Sequence, residues 1–511
     1  MSAETSAVPA LDRYRQGEKD ESFPGRKPTR QTDGGPTLFA LFGSILIPAT
    51  LWSPQSCNAG NADAESKPPR PNIIFLLADE LGWKDVSYHG SRIKTPNLDG
   101  LAKAGTRLEQ FYVQPVCSPT RASLMTGRYP MRYGLQCGVV RPWAQHGLSL
   151  DEMTLATVLQ RCGYRTAVTG KWHLGHVTPA YLPLKRGFDR QYGHYNGALD
   201  YFTHLRDGGH DWNRDDQPLV EEGYTTDLIG REAARLIKNH DPSNPLFLYV
   251  PFNAPHTSLQ ALDTDLEACR DFKMPRRRTY AAMVIAMDRA VGTILNALKQ
   301  SRLDPGNTLV WFSSDNGGIP SLGSNGILRA GKGTLYEGGV RVPSIVSWPG
   351  HVPAGSVVDA PLHMVDVLPT LARLAGGSVD GAKPLDGHNA WQTILGRQDS
   401  PHDWILHNLT PFHAALRQGP WKLIINGSVS ANAVKPAGQT TVELFNLEND
   451  PQEKTDLSET HPDLVAKLNE RIEQLRSEAA KPQIPPNSAP PGFEVPKYWG
   501  HPPNQAPASS K

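Results

Sequence analysis

The chain has 511 residues, 39% of them hydrophobic and 20% charged, and its formal net charge is +1. This composition is that of an ordinary soluble globular protein, long enough for one large domain and a smaller one. A net charge so close to zero excludes a general attraction to nucleic acid or to anionic membranes, so that any affinity for an anionic substrate requires a local cluster of basic residues.

Residues 1–68 are predicted to be a secretory signal sequence followed by a flexible linker. A basic segment at 26–30 precedes an apolar run at 36–52, and the A-D-A at 62–64 fits a signal-peptidase site. The run is short for a membrane span, so a single-pass anchor is a less favoured alternative, and lipid attachment at Cys57 is less favoured still. We therefore expect export to a periplasmic, secreted or lysosome-like compartment.

From residue 69 to 377 short apolar runs alternate with amphipathic stretches. The apolar runs predict strands buried on both faces at Asn72–Leu77, Thr166–Thr169, Leu246–Phe252, Thr308–Ser313 and Pro343–Trp348. The amphipathic stretches predict helices at Met153–Arg161, Thr226–Asn239, Tyr280–Gln300 and His363–Leu374. Strands separated by helices predict right-handed crossovers and an α/β domain with a mainly parallel sheet flanked by helices.

Residues 378–480 are predicted to form a smaller antiparallel-sheet subdomain. Short β-like runs follow one another at Trp404–His407, His413–Arg417, Trp421–Ile425 and Val442–Leu447, before an amphipathic helix at about His461–Ala479. The Pro-rich tail, 481–511, is expected to wrap the surface without regular structure. The five cysteines, 57, 117, 137, 162 and 269, are too few and too scattered for a disulfide framework or a zinc site.

Acidic and amide side chains follow two of the predicted strands. Asp79 and Glu80 come after the first strand, and Asp315 and Asn316 come after the fourth. Each pair alone is typical of a helix cap or a turn. Because ligands of open α/β sheets bind at the carboxyl ends of the strands, the two pairs together predict an all-oxygen site for a hard cation, Ca²⁺ or Mg²⁺.

Basic side chains follow other predicted strands. Lys171 and His173 come after the second strand, two residues apart, so that in an extended segment both point to the same side. His256 follows the third strand, and Lys332 lies in a glycine-bearing loop. Alone, each is more typical of a solvated lysine or a hydrogen-bonded histidine. Together around a cation, they would form a pocket for a tetrahedral oxyanion.

The segment Cys117–Arg128 is the most specific element of the sequence. It reads C-S-P-T-R-A-S-L-M-T-G-R. A cysteine ahead of a helix that begins near Pro119 is by itself typical of a core or disulfide-bonded residue, and a C-x-P-x-R match arises by chance in about one of forty such chains. The appended L-x-T-G-R makes a coincidence much rarer.

With these motifs the chain resembles the sulfatase family, whose signature is C-x-P-x-R followed by T-G-R, and within it the arylsulfatase B branch of N-acetylgalactosamine-4-sulfatases. The resemblance runs from about Pro71 to Leu457. It includes A-D at 78–79, L-G-W at 81–83, G-K-W-H-L-G at 170–175, S-D-N-G-G at 314–318, E-G-G-V-R at 337–341, K-P-L-D-G at 383–387 and W-K-L at 421–423. It implies an alkaline-phosphatase-like fold with a smaller C-terminal subdomain.

The resemblance also implies a nucleophile and a metal. Cys117 would be converted to formylglycine by a formylglycine-generating enzyme. One hydroxyl of its hydrate would attack sulfur, and the other would later expel sulfate, an exit that the sulfate ester of a serine lacks. One Ca²⁺ would be held by the metal set Asp79, Glu80, Cys117, Asp315 and Asn316.

The remaining roles that the resemblance implies concern binding and proton transfer. Arg121 and Lys171 would fix the formylglycine oxygens, and His173 would contact the hydroxyl that triggers elimination. His256 and Lys332 would bind sulfate, and His256 would protonate the leaving oxygen. Asp315 would serve as the base for the nucleophile.

Glu80 departs from the family pattern, which has a second aspartate at this position. Glutamate keeps the charge and adds a methylene, so that it can still bind the metal with a shifted carboxylate, or swing away and leave the site one ligand short. We expect ligation with altered metal geometry.

The leading function is hydrolysis of sulfate esters on a sulfated sugar, which the arylsulfatase B resemblance narrows to N-acetylgalactosamine 4-sulfate units. A phosphoesterase of the same fold is the alternative, although phosphate generally requires a second metal and the sequence has no second ligand set. The third candidate is an inactive protein that binds sulfated glycans. We expect a sulfated carbohydrate as substrate, with the loops 192–216 and 408–413 as walls of its pocket, and neither nucleic acid nor stable membrane insertion.

Overall fold

The computed structural model describes residues 70–429 and 438–501. Within them the strands are, in chain order, β1 (Asn72–Ala78), β2 (Thr106–Leu108), β3 (Phe111–Tyr112), β4 (Arg165–Lys171), β5 (Arg190–His194), β6 (Leu205–Arg206), β7 (Gly209–His210), β8 (Asn213–Arg214), β9 (Gln217–Pro218), β10 (Leu246–Pro251), β11 (Thr308–Ser314), β12 (Arg341–Val342), β13 (Ser344–Ser347), β14 (Ser356–Val358), β15 (Leu362–His363), β16 (Ile405–Leu409), β17 (Ala414–Gln418), β18 (Trp421–Ile425) and β19 (Val442–Asn446). The α-helices are α1 (Pro96–Ala104), α2 (Cys117–Thr126), α3 (Leu155–Arg161), α4 (Thr225–Lys238), α5 (Asp263–Ala268), α6 (Pro275–Gln300), α7 (Glu337–Val340), α8 (Val367–Leu374), α9 (Trp391–Ile394) and α10 (Pro462–Ser477). Short 3-10 helices lie at Ser87–His89, Pro130–Arg132, Pro179–Tyr181, Pro183–Lys185, Pro305–Asn307 and Met364–Asp366.

A ten-stranded sheet forms the centre of the large domain, in the order β14-β2-β13-β11-β1-β10-β4-β5-β8-β9. Its five middle strands, β11, β1, β10, β4 and β5, run parallel to one another. Antiparallel neighbours flank them, with β13 beside β11 and β8 beside β5. The predicted α/β domain with a mainly parallel sheet is therefore confirmed.

Strand β1 shows why the apolar runs are continuous. All seven of its residues are buried. Because successive side chains of a strand point to opposite faces, Ile74 and Leu76 pack into the hydrophobic core on one side of the sheet, while Ile73, Phe75 and Leu77 pack into the core on the other side. After its first residue, Asn72, this strand with a hydrophobic core on both faces has no polar residue until it ends.

The parallel strands bring the polar clusters to one edge of the sheet. The backbone N–H of Asp315 donates to the carbonyl of Ala78 (3.0 Å), so that Asp79 and Asp315 leave β1 and β11 side by side. Strand β4 reaches the same edge beside β10, and Gly170 is needed there because a Cβ would lie 1.9 Å from the carbonyl oxygen of Pro251. The candidate functional side chains therefore lie at the carboxyl edge of the sheet.

The smaller sheet has the order β16-β17-β18-β19 and is antiparallel throughout. Helix α10 packs on it through Leu468 and Ile472, which share a core with Leu416 and Leu423. The predicted antiparallel sheet and packed helix are confirmed, and the domain boundaries at 69, 377 and 480 stay a prediction. From 481 to 501 the tail has neither helix nor strand, as expected.

The signal sequence, the linker and the lipid-attachment alternative at Cys57 concern residues outside the described ones. Helix α6 is long and apolar enough to cross a membrane, and 72% of its most apolar window is buried inside the fold, as in the core helix of a folded domain. The four cysteines in the described part of the chain, 117, 137, 162 and 269, are all free.

Candidate active site

Cys117 is the first residue of α2 and is 1% exposed. Side chains from three other segments approach its Sγ: Asp79 Oδ1 at 3.4 Å, Asn316 Oδ1 at 3.6 Å and Lys332 Nζ at 3.5 Å. The amide nitrogen of Asn316 donates to the carbonyl of Gly317 (3.0 Å), which leaves the amide oxygen facing Cys117. The residues singled out at three distant positions of the sequence therefore lie around one atom.

A buried charge network surrounds this position. Arg121 donates from Nη2 and Nε to Asp315 Oδ2, at 2.8 and 3.1 Å, and from Nη1 to the carbonyl of Lys171 at 3.0 Å. Lys171 Nζ lies 2.5 Å from Asp79 Oδ2. All four side chains are fully buried. Buried charges require partners, and two cations matched with two carboxylates satisfy this requirement.

The balance of charge differs between the two carboxylates. Burial would raise the pKa of Asp79, but Lys171 and the other nearby basic groups outweigh it and hold that pKa well below its usual range. Burial and the neighbouring Asp79 raise the pKa of Asp315 to about 7. Burial, assisted by Asp315, also raises the pKa of the Cys117 thiol well above its usual value. Asp79 is therefore held in its charged form by the neighbouring cations, whereas burial disfavours the charged forms of Asp315 and of the Cys117 thiol.

Glu80 reaches the same place from the residue after Asp79. Its backbone adopts the left-handed conformation (φ 68°), which two hydrogen bonds stabilise. The N–H of Glu80 donates to Asp315 Oδ1 (3.2 Å), and its carbonyl accepts from the Tyr280 hydroxyl (3.1 Å). Its Oε1 pairs with His256 Nε2 at 2.8 Å and with Lys332 Nζ. The glutamate carboxylate therefore points into the pocket.

The donor set fits a hard cation. One ligand atom each from Asp79, Glu80, Cys117 and His256 lies within 4.8 Å of the others. The amide oxygen of Asn316 faces the same position, and carboxylate and amide oxygens are what Ca²⁺ prefers.

His173 is held next to the start of α2, where its carbonyl accepts from Ser118 Oγ at 2.9 Å. Its Nε2 lies 3.0 Å from the carbonyl of Val140. Because a carbonyl only accepts, Nε2 carries the proton and Nδ1 is an acceptor, for which the described residues offer no partner. Burial and the nearby Lys171 cation lower the pKa of His173 well below its usual value, so that the ring is neutral.

Gly197 packs directly against the imidazole of His173. A Cβ at this position would lie 2.4 Å from Cε1 and 2.5 Å from Nε2 of the ring. We expect Gly197→Ala to push the ring away from Val140 and to lower kcat about a hundred-fold, the scale of a 1 Å misplacement of a catalytic group. Steady-state kinetics with an aryl sulfate check this. Gly100→Ala, on an open helix surface, is the control, and equal kinetics for both variants would contradict the packing argument.

Three residues that contact the site, Ser118, Tyr280 and Gly197, could hardly be identified from the sequence. Ser118 Oγ donates to the carbonyl of His173 (2.9 Å) and accepts from the N–H of Val140 (3.0 Å), and only its place inside the motif could have indicated it. Neither Tyr280, from α6, nor Gly197 lies in a sequence pattern that indicates a role in the site. All the residues that the sequence assigned to the site, Asp79, Glu80, Cys117, Arg121, Lys171, His173, His256, Asp315, Asn316 and Lys332, lie together, and their individual roles stay a prediction.

The chain matches the model of the family described as Sulfatase over residues 71–378. It is 37% identical to arylsulfatase J of Mus musculus over 464 residues, which are 82% of this chain and 77% of the relative. It is 30% identical to N-acetylgalactosamine-6-sulfatase of Homo sapiens over 509 residues, which are 88% and 96% of the two chains. Among solved structures, "Crystal structure of Ps i-CgsB in complex with k-i-k-neocarrahexaose" matches with a TM-score of 0.74 at 37% identity, covering 81% of this chain and 95% of that one.

Fold and site together define an enzyme of the alkaline-phosphatase-like class, with its candidate active site at the carboxyl edge of the parallel sheet. The chain belongs to the sulfatase family, and it is a sulfate-ester hydrolase. The family resemblance carried by the Cys117–Arg128 motif is thereby confirmed. The placement in the arylsulfatase B branch stays a prediction.

Proposed function

We propose that this sulfatase removes sulfate from a sulfated sugar, with a formylglycine hydrate made from Cys117 as nucleophile and one calcium ion. The observation that carries the proposal is the convergence of Asp79, Asn316 and Lys332 within 3.6 Å of Cys117 Sγ. As a thiol, Cys117 is protonated and weakly nucleophilic, because burial raises its pKa. A hydrate oxygen at the position of Cys117 Sγ would have the Lys332 ammonium and the amide oxygen of Asn316 beside it.

The first step is attack on sulfur. Asp315, whose charge acts on Cys117, takes the proton of one hydroxyl of the hydrate. The new oxygen–sulfur bond forms while the bond from sulfur to the sugar oxygen breaks. His256, partly exposed beside Lys332, gives its proton to the leaving sugar oxygen.

The second step releases sulfate. Nδ1 of His173, the free acceptor of a neutral ring, takes the proton of the second hydroxyl. The electron pair of that O–H bond forms the aldehyde, and the bond from carbon to the sulfate oxygen breaks. Water then adds to the aldehyde and restores the hydrate. Lys171 and Arg121, whose charges both act on Cys117, hold the hydrate oxygens in place throughout.

Asp79, Glu80, Asp315, Asn316 and the converted Cys117 would hold the calcium. When bound, the ion polarises the sulfate group and lowers the pKa of the attacking hydroxyl. The side chains of Asp79, Glu80 and Asn316 bring carboxylate and amide oxygens to one position, as a hard cation requires. This supports the assignment independently of the family.

Glu80 is expected to contribute directly to calcium affinity. Its Oε1 already lies among the oxygens of the metal set, so Glu80→Gln removes a charged ligand and should weaken binding about ten- to a hundred-fold. Calorimetric titration of metal-free protein with calcium measures this, and Glu80→Asp tests the residue usual in the family. Glu152→Gln is the control, since Glu152 is equally buried but pairs with Arg128. An unchanged affinity for both Glu80 variants would mean that Glu80 is no ligand.

The sugar is proposed to carry its sulfate on a galactose-type ring. The arylsulfatase B resemblance favours N-acetylgalactosamine 4-sulfate, and the similarity to a structure with bound k-i-k-neocarrahexaose supports an oligosaccharide substrate. A substrate panel separates these: N-acetylgalactosamine 4-sulfate, galactose 4-sulfate, a chondroitin 4-sulfate tetrasaccharide and k-i-k-neocarrahexaose. Turnover of the galactose forms without the galactosamine forms would overturn the narrower assignment.

The test of the function itself compares p-nitrophenyl sulfate with p-nitrophenyl phosphate on purified, calcium-loaded protein. We expect a clear preference for sulfate. A preference for phosphate would favour the phosphoesterase alternative, and turnover of neither ester nor of the panel would favour the glycan-binding one. We also propose export, on the strength of the basic and apolar segments at 26–30 and 36–52.

A further inference from the structure

The C-terminal tail packs against a loop beside the active site. The N–H of Ala480 donates to the carbonyl of Met131 and that of Gln483 to the carbonyl of Gly134, both at 2.8 Å. Farther along, the indole nitrogen of Trp143 donates to the carbonyl of Pro486 at 2.7 Å. A segment without regular structure is therefore held in one course by specific hydrogen bonds.

The end of the described tail is anchored on the hairpin of β6 and β7. Trp499 donates from its backbone to the carbonyl of His210 and from its indole to the carbonyl of Arg206, both at 2.9 Å. Lys497 accepts from the N–H of His210 at 2.9 Å. Tyr498 and Trp499 are only 8% and 2% exposed. These two aromatic residues supply the anchor.

The loop under the tail is bonded directly to the catalytic residues. Val140 binds Ser118 through its N–H and His173 through its carbonyl. Two residues on, the carbonyl of Pro142 lies 3.0 Å from His176 Nε2, and the ring of His176 meets that of Trp499 edge-on at 5.4 Å. The loop that contains Val140 and Pro142, the β6–β7 hairpin and the tail therefore form one wall. This wall begins at Val140, which is bonded to His173.

The side chains of this wall have the chemistry of a site for an anionic sugar. Trp143 and Phe493 are half-buried, with ring centroids 6.3 Å apart. The Arg206 side chain is 27% exposed, and the half-buried Arg141 follows Val140. Burial, and then the nearby Arg206 charge, lower the pKa of Arg141, so the two guanidinium groups are within electrostatic reach of each other. An anion bound by both guanidinium groups would accept charge-assisted hydrogen bonds from each, and an aromatic face beside them suits a sugar ring.

We propose that Arg141, Trp143, Arg206 and Phe493 form a second sugar-binding subsite, next to the sulfate pocket, for the neighbouring anionic sugar of a sulfated oligosaccharide. The ring of that sugar stacks on Trp143, and its sulfate or carboxylate binds Arg206 and Arg141. The subsite rests on the proposed function in so far as the first sugar occupies the pocket at Cys117. A tail that only held the loop in place would require Trp499 and Tyr498 to be buried. It would give no reason for Trp143 and Phe493 to remain partly exposed.

Binding measured without turnover tests the subsite. In a Cys117→Ala background with calcium present, calorimetry gives the Kd of N-acetylgalactosamine 4-sulfate and of the two oligosaccharides of the panel. We expect the better-bound oligosaccharide to have a lower Kd than the monosaccharide. Arg206→Ala and Trp143→Ala should each reduce the ratio of the monosaccharide Kd to that oligosaccharide Kd about ten-fold. Trp143→Phe, which keeps an aromatic ring but loses the hydrogen bond to Pro486, should retain most of the ratio.

Arg190→Ala is the matched control, because Arg190 pairs with Asp215 at 2.9 Å much as Arg206 pairs with Asp207 at 3.1 Å, but at the amino end of its strand. It should leave the ratio unchanged. The subsite is overturned if the oligosaccharides bind no tighter than the monosaccharide, or if Arg206→Ala and Trp143→Ala leave the ratio as it is. Failure of the proposed function has a different signature: the wild type releases no sulfate from the panel, while oligosaccharide affinity still depends on Arg206.

Discussion

Cys117→Ser is expected to abolish multiple turnover while allowing a single sulfate transfer. The introduced hydroxyl occupies the position where Asp79, Asn316 and Lys332 converge, so it can attack sulfur as the hydrate does. The resulting ester has no second hydroxyl on the same carbon, and therefore no electron pair with which to expel sulfate. Steady-state sulfate release should fall at least about a thousand-fold, and intact mass should show one sulfate retained per molecule.

Cys162→Ser is the control for this experiment, because Cys162 lies at the end of α3 and is partly exposed. Its turnover should match the wild type. The mass of the wild-type peptide that contains Cys117 supplies the second check, since formylglycine is lighter than cysteine. Active wild-type protein with an intact thiol at Cys117, or sustained turnover by Cys117→Ser, would contradict the proposed nucleophile.

Lys171→Met is expected to cost both activity and stability. The Lys171 ammonium lies 2.5 Å from Asp79 with both side chains fully buried, and its removal takes away the nearest cation and leaves the more distant Arg121, at 3.7 Å. Breaking a buried ion pair from one side typically destabilises a protein by about 3–5 kcal/mol. Turnover should fall about a hundred- to a thousand-fold, the usual scale for one lost group that stabilises the transition state.

Calcium distinguishes this variant from an ordinary core defect. If Asp79 binds the metal, calcium compensates the charge that Lys171→Met leaves behind, so thermal unfolding should show a larger calcium-induced rise in Tm for the variant than for the wild type. Lys422→Met is the matched control, because Lys422 is also fully buried and bridges Glu337 and Glu453, each at 2.9 Å, outside the metal set. An equal effect of calcium on both variants would argue against Asp79 as a ligand.

The strand positions of the large domain follow closely from the sequence. β1 was expected at Asn72–Leu77, from an apolar run typical of a strand buried on both faces, and it extends by one residue to Ala78, which pairs with Ser314 of β11. The helix expected at His363–Leu374 begins as α8 only at Val367. His363 instead ends β15, and its Nδ1 accepts from the N–H of Val365. A local side-chain bond of this kind is invisible to hydrophobic periodicity.

The sequence by itself was enough to predict the set of site residues, from Asp79 to Lys332, because each follows a buried strand or lies in a motif. Only the tertiary structure decided how they are oriented. The left-handed backbone of Glu80 depends on Tyr280, a residue of a distant helix, and the protonation of His173 depends on the carbonyl of Val140. The course of the tail past Trp143 was likewise undetermined. Such contacts join segments far apart in the chain, and no local pattern of hydrophobicity or charge specifies them.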